Sequence, residues 1–234
     1  MYTHHKADHE FPPAEPRISY MVCSVPRCGS SLLCELLCNT EVAGAPTEFF
    51  DPELMGRFRE RWGSSSDEEY AAQLLRKKTT PNGVFGLKVH WGQLGHLPGG
   101  DPDALFPGLR YVHMQREDAV RQAVSWVRAI QTNQWASSHE ARGEPVFDAE
   151  QIAFYLEVIR KEGASWEQYF GQRSITPHRV VYERLVAQPE ETLGSVLDFL
   201  GVPGPVAVAS APLELEQQAD ALTDEWVERY SAYT

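Results

Sequence analysis

The feature of this sequence that most constrains its fold is a regular alternation of short apolar strands with helical segments. Four segments have the length and the β-branched or aromatic composition of buried strands: residues 18–24, 84–90, 109–115 and 178–182. Helical patterns lie between and after them, at residues 31–38, 117–135, 149–170 and 189–200. Because parallel strands need long crossover connections, this alternation predicts a three-layer α/β fold with a mainly parallel central sheet.

The carboxyl ends of the predicted strands are where a functional site is expected. In open parallel sheets, ligands bind in the crevice beyond these ends. Here the ends fall at residues 24–31, 88–91, 115–116 and 182–183.

The net charge of the chain limits its partners, and the distribution of apolar residues limits its location. It has 21 basic and 33 acidic residues and a net charge of −12, which argues against nucleic acid or an anionic membrane surface as the main partner. No run approaches the about 18 apolar residues of a membrane span. The first sixteen residues lack the apolar stretch of a secretory signal, and we therefore predict a cytoplasmic protein.

The length and local composition predict one domain. We expect a disordered, proline-rich tail over residues 1–17 and a single domain over residues 18–234. A polar, flexible linker is expected near residues 136–148. The four cysteines lie within sixteen residues, but their spacing lacks the paired ligands of a zinc site, so no metal site is predicted.

The loop after the first strand, residues 24–31, is the strongest candidate for ligand binding. Gly29 allows close approach of the backbone, Ser30 and Ser31 supply hydroxyl groups at a helix start, and Arg27 adds a cation. This is the layout of a phosphate cradle. The Gly-Lys pair of a nucleotide-hydrolysing P-loop is missing, so ATP hydrolysis is poorly supported. The alternative interpretation is a simple strand–helix turn capped by Ser30.

The loop and later segments resemble sulfotransferases that use 3′-phosphoadenosine 5′-phosphosulfate (PAPS). The loop has their P-x-x-G-[ST]-[ST] pattern, and residues 180–201 resemble their block that ends in Phe-Leu-Gly. The similarity is greatest to the trehalose 2-sulfotransferase family of actinobacteria. It extends in order from about Tyr20 to Tyr230 and is carried by five stretches: residues 27–33, 42–50, 81–88, 122–135 and 218–230.

This resemblance implies a P-loop-like sulfotransferase fold and the transfer of a sulfuryl group from PAPS to a hydroxyl of a sugar or glycosylated metabolite. It also implies PAPS as co-substrate, no metal, and a homodimer. Two alternatives stay open. One is a P-loop kinase relative, and the other is a non-catalytic nucleotide-binding module that kept the fold.

The resemblance also assigns roles to individual residues. Arg27 and Lys88 would act at the phosphosulfate, Arg116 and Ser125 would hold the 3′-phosphate, and Tyr182 would pack near the adenine. The predicted donor-binding residues are Pro26, Arg27, Cys28, Gly29, Ser30, Ser31, Arg116, Ser125 and Tyr182. Many sulfotransferases add a basic C-terminal segment at the 3′-phosphate. The corresponding residues 217–220 contain no cation, and no such role is assigned.

Two residues are candidates for the base that takes the acceptor proton. Glu48 matches the glutamate of the family's Gly-x-Pro-x-Glu-Phe-Phe stretch. His90 follows Lys88 by two residues, which is the spacing of the catalytic histidine in the animal enzymes. A neutral histidine needs no pKa shift to act as a base, whereas partial burial would raise the basicity of a carboxylate. We favour Glu48 because the five matching stretches belong to the first family.

Overall fold

Four parallel strands form the centre of the fold in the computed structural model, which describes residues 8–106, 108–135, 142–202 and 220–233. The strands are β1 (Ile18–Ser24), β2 (Val84–His90), β3 (Leu109–Gln115) and β4 (His178–Val181). Their order in the sheet is β2-β1-β3-β4. All four strands were predicted from the sequence. The fourth is one residue shorter than predicted because Tyr182 begins a helix.

The helices of the described residues connect the strands and follow the last one. They are α1 (Ser30–Asn39), α2 (Pro52–Trp62), α3 (Asp67–Lys78), α4 (Pro102–Leu105), α5 (Ala119–Thr132), α6 (Ala149–Gln172), α7 (Tyr182–Ala187), α8 (Pro189–Leu200) and α9 (Ala221–Tyr233). Two short 3-10 turns, Trp91–His96 and Pro98–Gly100, follow β2. No helix in these parts of the chain has both the length and the apolar composition to cross a bilayer.

Helices cover both faces of the sheet. Successive side chains of a strand point to opposite faces, and those of β1 divide accordingly between two cores. Met21 and Cys23 pack with α2, α3, α5, α6 and α9, whereas Tyr20 and Val22 pack with α1, α7 and α8. The predicted three-layer α/β architecture is therefore confirmed.

The strand register determines which residues meet at the carboxyl edge of the sheet. Ser24, the last residue of β1, lies beside His90, the last residue of β2. On the other side of the sheet, Gln115 of β3 pairs with Val181 of β4. Because β2 and β3 lie on opposite sides of β1, the chain reverses direction across the sheet at β1. A crevice forms at such a switch point, and it lies beside the loop after β1.

The four cysteines are buried thiols outside any disulfide, and they lie on β1, the following loop and α1. Burial raises the pKa of Cys34 to about 12, so this thiol is inert at neutral pH. Among the described residues, no group of three or more His, Cys, Asp or Glu side chains is arranged to hold a metal ion.

The N-terminal segment contacts the second and third helices. It was predicted to be a disordered tail over residues 1–17, and the first seven of these lie outside the described residues. In the rest, Asp8 forms an ion pair with Arg57 of α2 and Glu10 with Lys77 of α3. The described part of the segment therefore lies against the domain, while the domain boundaries themselves stay a prediction.

The linker predicted near residues 136–148 is described in its second half only, since residues 136–141 lie outside the described ranges. In the described half, the Val146 backbone N–H donates to Gln131 at 2.8 Å. The Phe147 ring is covered by the Arg229 guanidinium of α9, 4.0 Å from its centroid. These contacts join the end of the linker to α5 and α9.

Candidate active site

The loop between β1 and α1 has a backbone suited to an anion. Arg27 has a φ of 67° and Gly29 a φ of 91°, both in the left-handed region. Gly29 is the N-cap of α1, and no side chain caps the first turn, which also contains no acidic residue. The alternative interpretation, in which the Ser30 side chain caps α1, is therefore wrong. Because the first N–H groups of a helix lack partners within it, the start of α1 is available to an anion.

Distant side chains hold three of the loop's carbonyl groups. Ser24 accepts a hydrogen bond from Trp166 Nε1 at 2.9 Å, Pro26 from Gln122 Nε2 at 2.8 Å and Arg27 from Arg116 Nη1 at 3.2 Å. Sequence reasoning identified Arg116 but missed Gln122 and Trp166 as supports of the loop. These bonds fix the loop before any ligand arrives.

Tyr182 lies directly against the loop, at the start of α7. A Cβ atom added to Gly29 would lie 2.3 Å from Cδ2 of the Tyr182 ring, so only glycine leaves room for this ring. The Arg116 guanidinium lies over the same ring, 4.5 Å from its centroid. Tyr182 therefore joins the loop to Arg116. Its predicted contact with adenine stays a prediction.

Replacing Gly29 by alanine is expected to destabilise the protein more than the same change at Gly63. Both glycines have positive φ, which costs about 1–2 kcal/mol for an L residue. Only Gly29 also meets a ring, whereas nothing lies within 4 Å of a Cβ atom at Gly63. The clash should add about 1–3 kcal/mol. Urea denaturation midpoints of the two variants measure this difference, and equal losses would show that Tyr182 moves aside at no cost.

Arg27 points towards α5. Its Nε donates to Ser125 Oγ at 3.0 Å and its Nη1 to the Trp135 carbonyl at 2.6 Å. Burial, together with the neighbouring cations Arg116 and Arg128, lowers the pKa of Arg27 to about 10. Arg27 thus stays charged at neutral pH, in a cluster where positive charge is in excess. The structure therefore brings Arg27, assigned to the phosphosulfate, into contact with Ser125, assigned with Arg116 to the 3′-phosphate, and both roles stay predictions.

Arg116 follows β3 and reaches over the loop. Burial lowers its pKa, and the neighbouring Tyr182 and Glu183 oppose this shift. Its Nε is 4.0 Å from Glu183 Oε1, too far for a hydrogen bond, and no described residue accepts a bond from this nitrogen. A buried guanidinium nitrogen with no acceptor is costly and fits a site that an anion completes.

Arg128 is a third cation of this cluster that sequence reasoning missed. It lies one turn after Ser125 on α5, and both residues line a cavity of about 130 Å³ between α5 and α9. Its Nη1 and Nη2 donate to Asp220 at 2.6 and 2.8 Å. Residues 217–219 of the C-terminal segment lie outside the described residues. Asp220, the last residue of the segment that contains no cation, binds the guanidinium of Arg128 instead. The two residues are far apart in the sequence, so no local pattern predicted this ion pair.

Lys88 links the loop to the predicted base. Its Nζ lies 2.9 Å from Ser31 Oγ and 2.6 Å from Glu48 Oε1, and the lysine side chain is only 3% exposed. Burial opposes the charge of each group, but the Lys88 ammonium and His90 hold the pKa of the Glu48 carboxyl well below its usual range. Glu48 in turn raises the pKa of Lys88 against the effect of burial. The pair is ionised at neutral pH.

His90 lies beside the same carboxylate. Its Nε2 is 3.4 Å from Glu48 Oε1, and its Nδ1 is 2.9 Å from Ser24 Oγ. Gln93 fixes the other oxygen of Glu48 with a hydrogen bond of 2.8 Å from its Nε2. The two candidate bases are therefore neighbours rather than alternatives at different places. Glu48 Oε2 accepts one bond from Gln93 and retains a lone pair for a further donor.

The site has two chemically different ends. Arginines surround the loop at one end, and a carboxylate and a histidine lie at the other, with Lys88 between them. Such an arrangement can hold a dianionic group, stabilise negative charge that develops next to it and accept a proton close by. These are the needs of group transfer from a phosphate-linked donor to a hydroxyl.

The comparison with known families agrees with this geometry. The sequence matches the family described as Stf0 sulphotransferase over residues 19–233, which is nearly the whole chain. The chain is a member of the Stf0 sulfotransferase family. The resemblance drawn from the sequence motifs is therefore confirmed.

Curated relatives of this Stf0 protein include two trehalose 2-sulfotransferases. That of Mycobacterium tuberculosis (strain ATCC 35801 / TMC 107 / Erdman) is 32% identical over 254 aligned positions, which cover 91% of this chain and 94% of the relative. That of Mycolicibacterium smegmatis (strain ATCC 700084 / mc(2)155) is also 32% identical, with the same coverage. Among solved structures, the sulfotransferase domain of the Synechococcus PCC 7002 olefin synthase has a TM-score of 0.53 and 17% identity. The match covers 98% of this chain and 91% of that domain, and it supports the sulfotransferase fold.

Proposed function

We propose that this Stf0 sulfotransferase moves a sulfuryl group from PAPS to a hydroxyl of a sugar or glycosylated metabolite, and that trehalose is the first acceptor to test. Family membership supports the transferase activity, and two relatives are named for trehalose. The observation that carries the proposal is the position of Lys88, in contact with both Ser31 of the anion-binding loop and Glu48.

The donor would occupy the end of the site that holds the arginines. The start of α1, with Pro26, Cys28, Gly29, Ser30 and Ser31, would receive the 5′-phosphosulfate. Arg116, whose Nε has no described acceptor, is suited to the 3′-phosphate together with Ser125. A phosphate at this place would accept the hydrogen bonds that these groups can donate.

The transfer forms a bond between the acceptor oxygen and sulfur and breaks the bond between sulfur and the 5′-phosphate oxygen. Negative charge grows on that phosphate. Arg27, which belongs to the loop, and Lys88, which donates to Ser31 Oγ, are the cations that would stabilise it. The acceptor proton would pass to Glu48, which has a lone pair free on Oε2.

Lys88 would also control the basicity of Glu48. In the structure, where the Lys88 ammonium pairs with Glu48, it holds the pKa of the Glu48 carboxyl low, which makes Glu48 a weak base. If Lys88 turns towards the phosphate as charge develops there, Glu48 loses its main cationic neighbour and becomes more basic. His90, 3.4 Å from the same oxygen, is the alternative base. A base whose pKa approaches the working pH is the more effective one.

A melting experiment tests the donor assignment. We expect 3′-phosphoadenosine 5′-phosphate (PAP) to raise the melting temperature in buffer that contains EDTA. A ligand at about 1,000 times its dissociation constant stabilises a protein by about 4 kcal/mol. ATP and GTP, each with and without magnesium, serve as comparison ligands.

The melting experiment and an assay for sulfated product together distinguish the three function classes. A sulfotransferase responds to PAP without magnesium, whereas a kinase relative would respond to ATP with magnesium and not to PAP. A non-catalytic nucleotide-binding module would bind a nucleotide but form no sulfated product. No response to PAP, together with a magnesium-dependent response to ATP, would contradict the proposed donor.

A further inference from the structure

One carboxylate near the site has no role in the transfer described so far. Glu162 lies on α6 and is partly buried, and its Oε2 is covered by protein without a donor among the described residues. Buried carboxylate oxygens are normally hydrogen-bonded, because leaving one without a donor costs free energy. The position of Glu162 therefore calls for a reason other than the stability of the helix.

Glu162 lies beyond the carboxyl edge of the sheet. Trp166, one helical turn later on α6, donates to the Ser24 carbonyl at the very end of β1. A Cβ atom on Gly92 would lie 3.7 Å from Glu162 Oε1, so the carboxylate faces Gly92, two residues after His90. The carboxylate of Glu162 thus lies at the same carboxyl edge of the sheet as Glu48. The sulfuryl acceptor would enter at this edge to reach the loop.

The carboxylate of Glu162 has fewer partners among the described residues than the carboxylate of Glu48 has. Burial raises the pKa of the Glu162 carboxyl, and the nearby His90 opposes the shift. The carboxylate of Glu48 lies on His90 as well, 3.4 Å from Nε2. Two acidic groups therefore lie beside one histidine, but only Glu48 has a lysine and an amide as partners.

A hydroxyl group of a ligand can donate the hydrogen bond that the Glu162 carboxylate lacks. No lysine or arginine of the described ranges forms an ion pair with Glu162. A sugar carries several neighbouring hydroxyls that can reach more than one carboxylate. We infer that Glu162 positions the acceptor by accepting a hydrogen bond from a sugar hydroxyl next to the one that is sulfated. This inference rests on the proposed function and adds a specificity-determining residue to it.

The test compares Glu162 variants with a matched control on the same helix. Glu162→Gln removes the charge, and Glu162→Met removes both acceptor oxygens at similar length. Glu157→Gln is the control, since Glu157 is an exposed carboxylate of α6 that pairs with the exposed Arg160 of the same helix. Steady-state rates are measured with trehalose at saturating PAPS, and PAP affinity is measured separately.

The Glu162 variants are expected to raise the KM for trehalose by about 10-fold or more, as for a lost hydrogen bond to a charged group. PAP affinity should stay within about twofold of the wild type, and Glu157→Gln should behave as the wild type in both. Trehalose analogues that each lack one hydroxyl give a further readout. One analogue should be a poor substrate for the wild type but no worse than trehalose for Glu162→Met.

Each other outcome overturns a defined part of the account. Sulfation of trehalose with an unchanged KM in both Glu162 variants overturns the role of Glu162 alone. A loss of PAP affinity in these variants does the same, because Glu162 would then support the donor site or the fold. If the wild type binds PAP but sulfates no trehalose, the proposed acceptor fails and this inference fails with it.

Discussion

Replacing Glu48 by Gln is expected to lower the turnover number by about 100-fold or more, while PAP affinity changes little. The amide keeps the shape of the side chain but cannot take a proton from the acceptor. It also removes the charge that Lys88 pairs with at 2.6 Å, in a site where the lysine is almost fully buried. Single-turnover rates with PAPS and an accepted sugar measure the effect on the transfer itself.

Two controls make this result interpretable. Loss of one partner of a buried ion pair can cost about 3–5 kcal/mol of stability, so the variant is assayed below its own melting temperature. His90→Gln is assayed in parallel, because His90 Nε2 is 3.4 Å from the same carboxylate. Near-normal turnover in Glu48→Gln combined with a large loss in His90→Gln would show that the histidine is the base and that our choice is wrong.

Replacing Arg116 by Ala is expected to weaken PAP binding by about 2–5 kcal/mol, as for a desolvated charge that loses its partner. Adenosine 5′-phosphate, which lacks the 3′-phosphate, should lose much less. Some loss for both nucleotides is expected because Arg116 also lies over the Tyr182 ring and bonds the Arg27 carbonyl. The quantity that decides is the ratio of the two dissociation constants, measured by calorimetry.

Arg121→Ala is the matched control for this experiment. Arg121 lies on α5, and it pairs with Asp118 at 3.3 Å and with Asp224 of α9 at 2.6 Å. Its removal takes away the same charge without touching the loop. An equal fall in affinity for both nucleotides in Arg116→Ala would place the 3′-phosphate elsewhere, and the Arg128 side of the cluster would become the first alternative.

The strands and the loop could be predicted because their signals are local. Strands β1, β2 and β3 are short, mostly apolar runs that end at Ser24, His90 and Gln115, and these observed ends agree with the predicted ones. Helix α3 was missed although it had local signals, such as Ser66 as N-cap and three acidic residues in its first turn. Tyr182 was placed on a strand because an aromatic residue after Val-Val continues the strand pattern.

The tertiary parts of the site had no local signal. Arg128 and Asp220 are 92 positions apart, and nothing in either neighbourhood indicates the other. Glu162 lies in a helix whose polar residues are mostly exposed, and its burial depends on tertiary packing, since it faces Gly92 in the turn after β2. The resemblance to a family gave Glu48 and His90 separately, but their contact depends on the register of the sheet.

The measurement that tests the central claim most directly follows the sulfur atom. The protein is incubated with trehalose and PAPS labelled on the sulfuryl group, without magnesium, and the sugar is analysed by mass spectrometry. We expect the label on the sugar, with the mass of one added sulfuryl group, and one PAP formed for each sugar sulfated. Label that stays on the donor, or that appears only as inorganic sulfate with trehalose and every other sugar tested, would contradict the account.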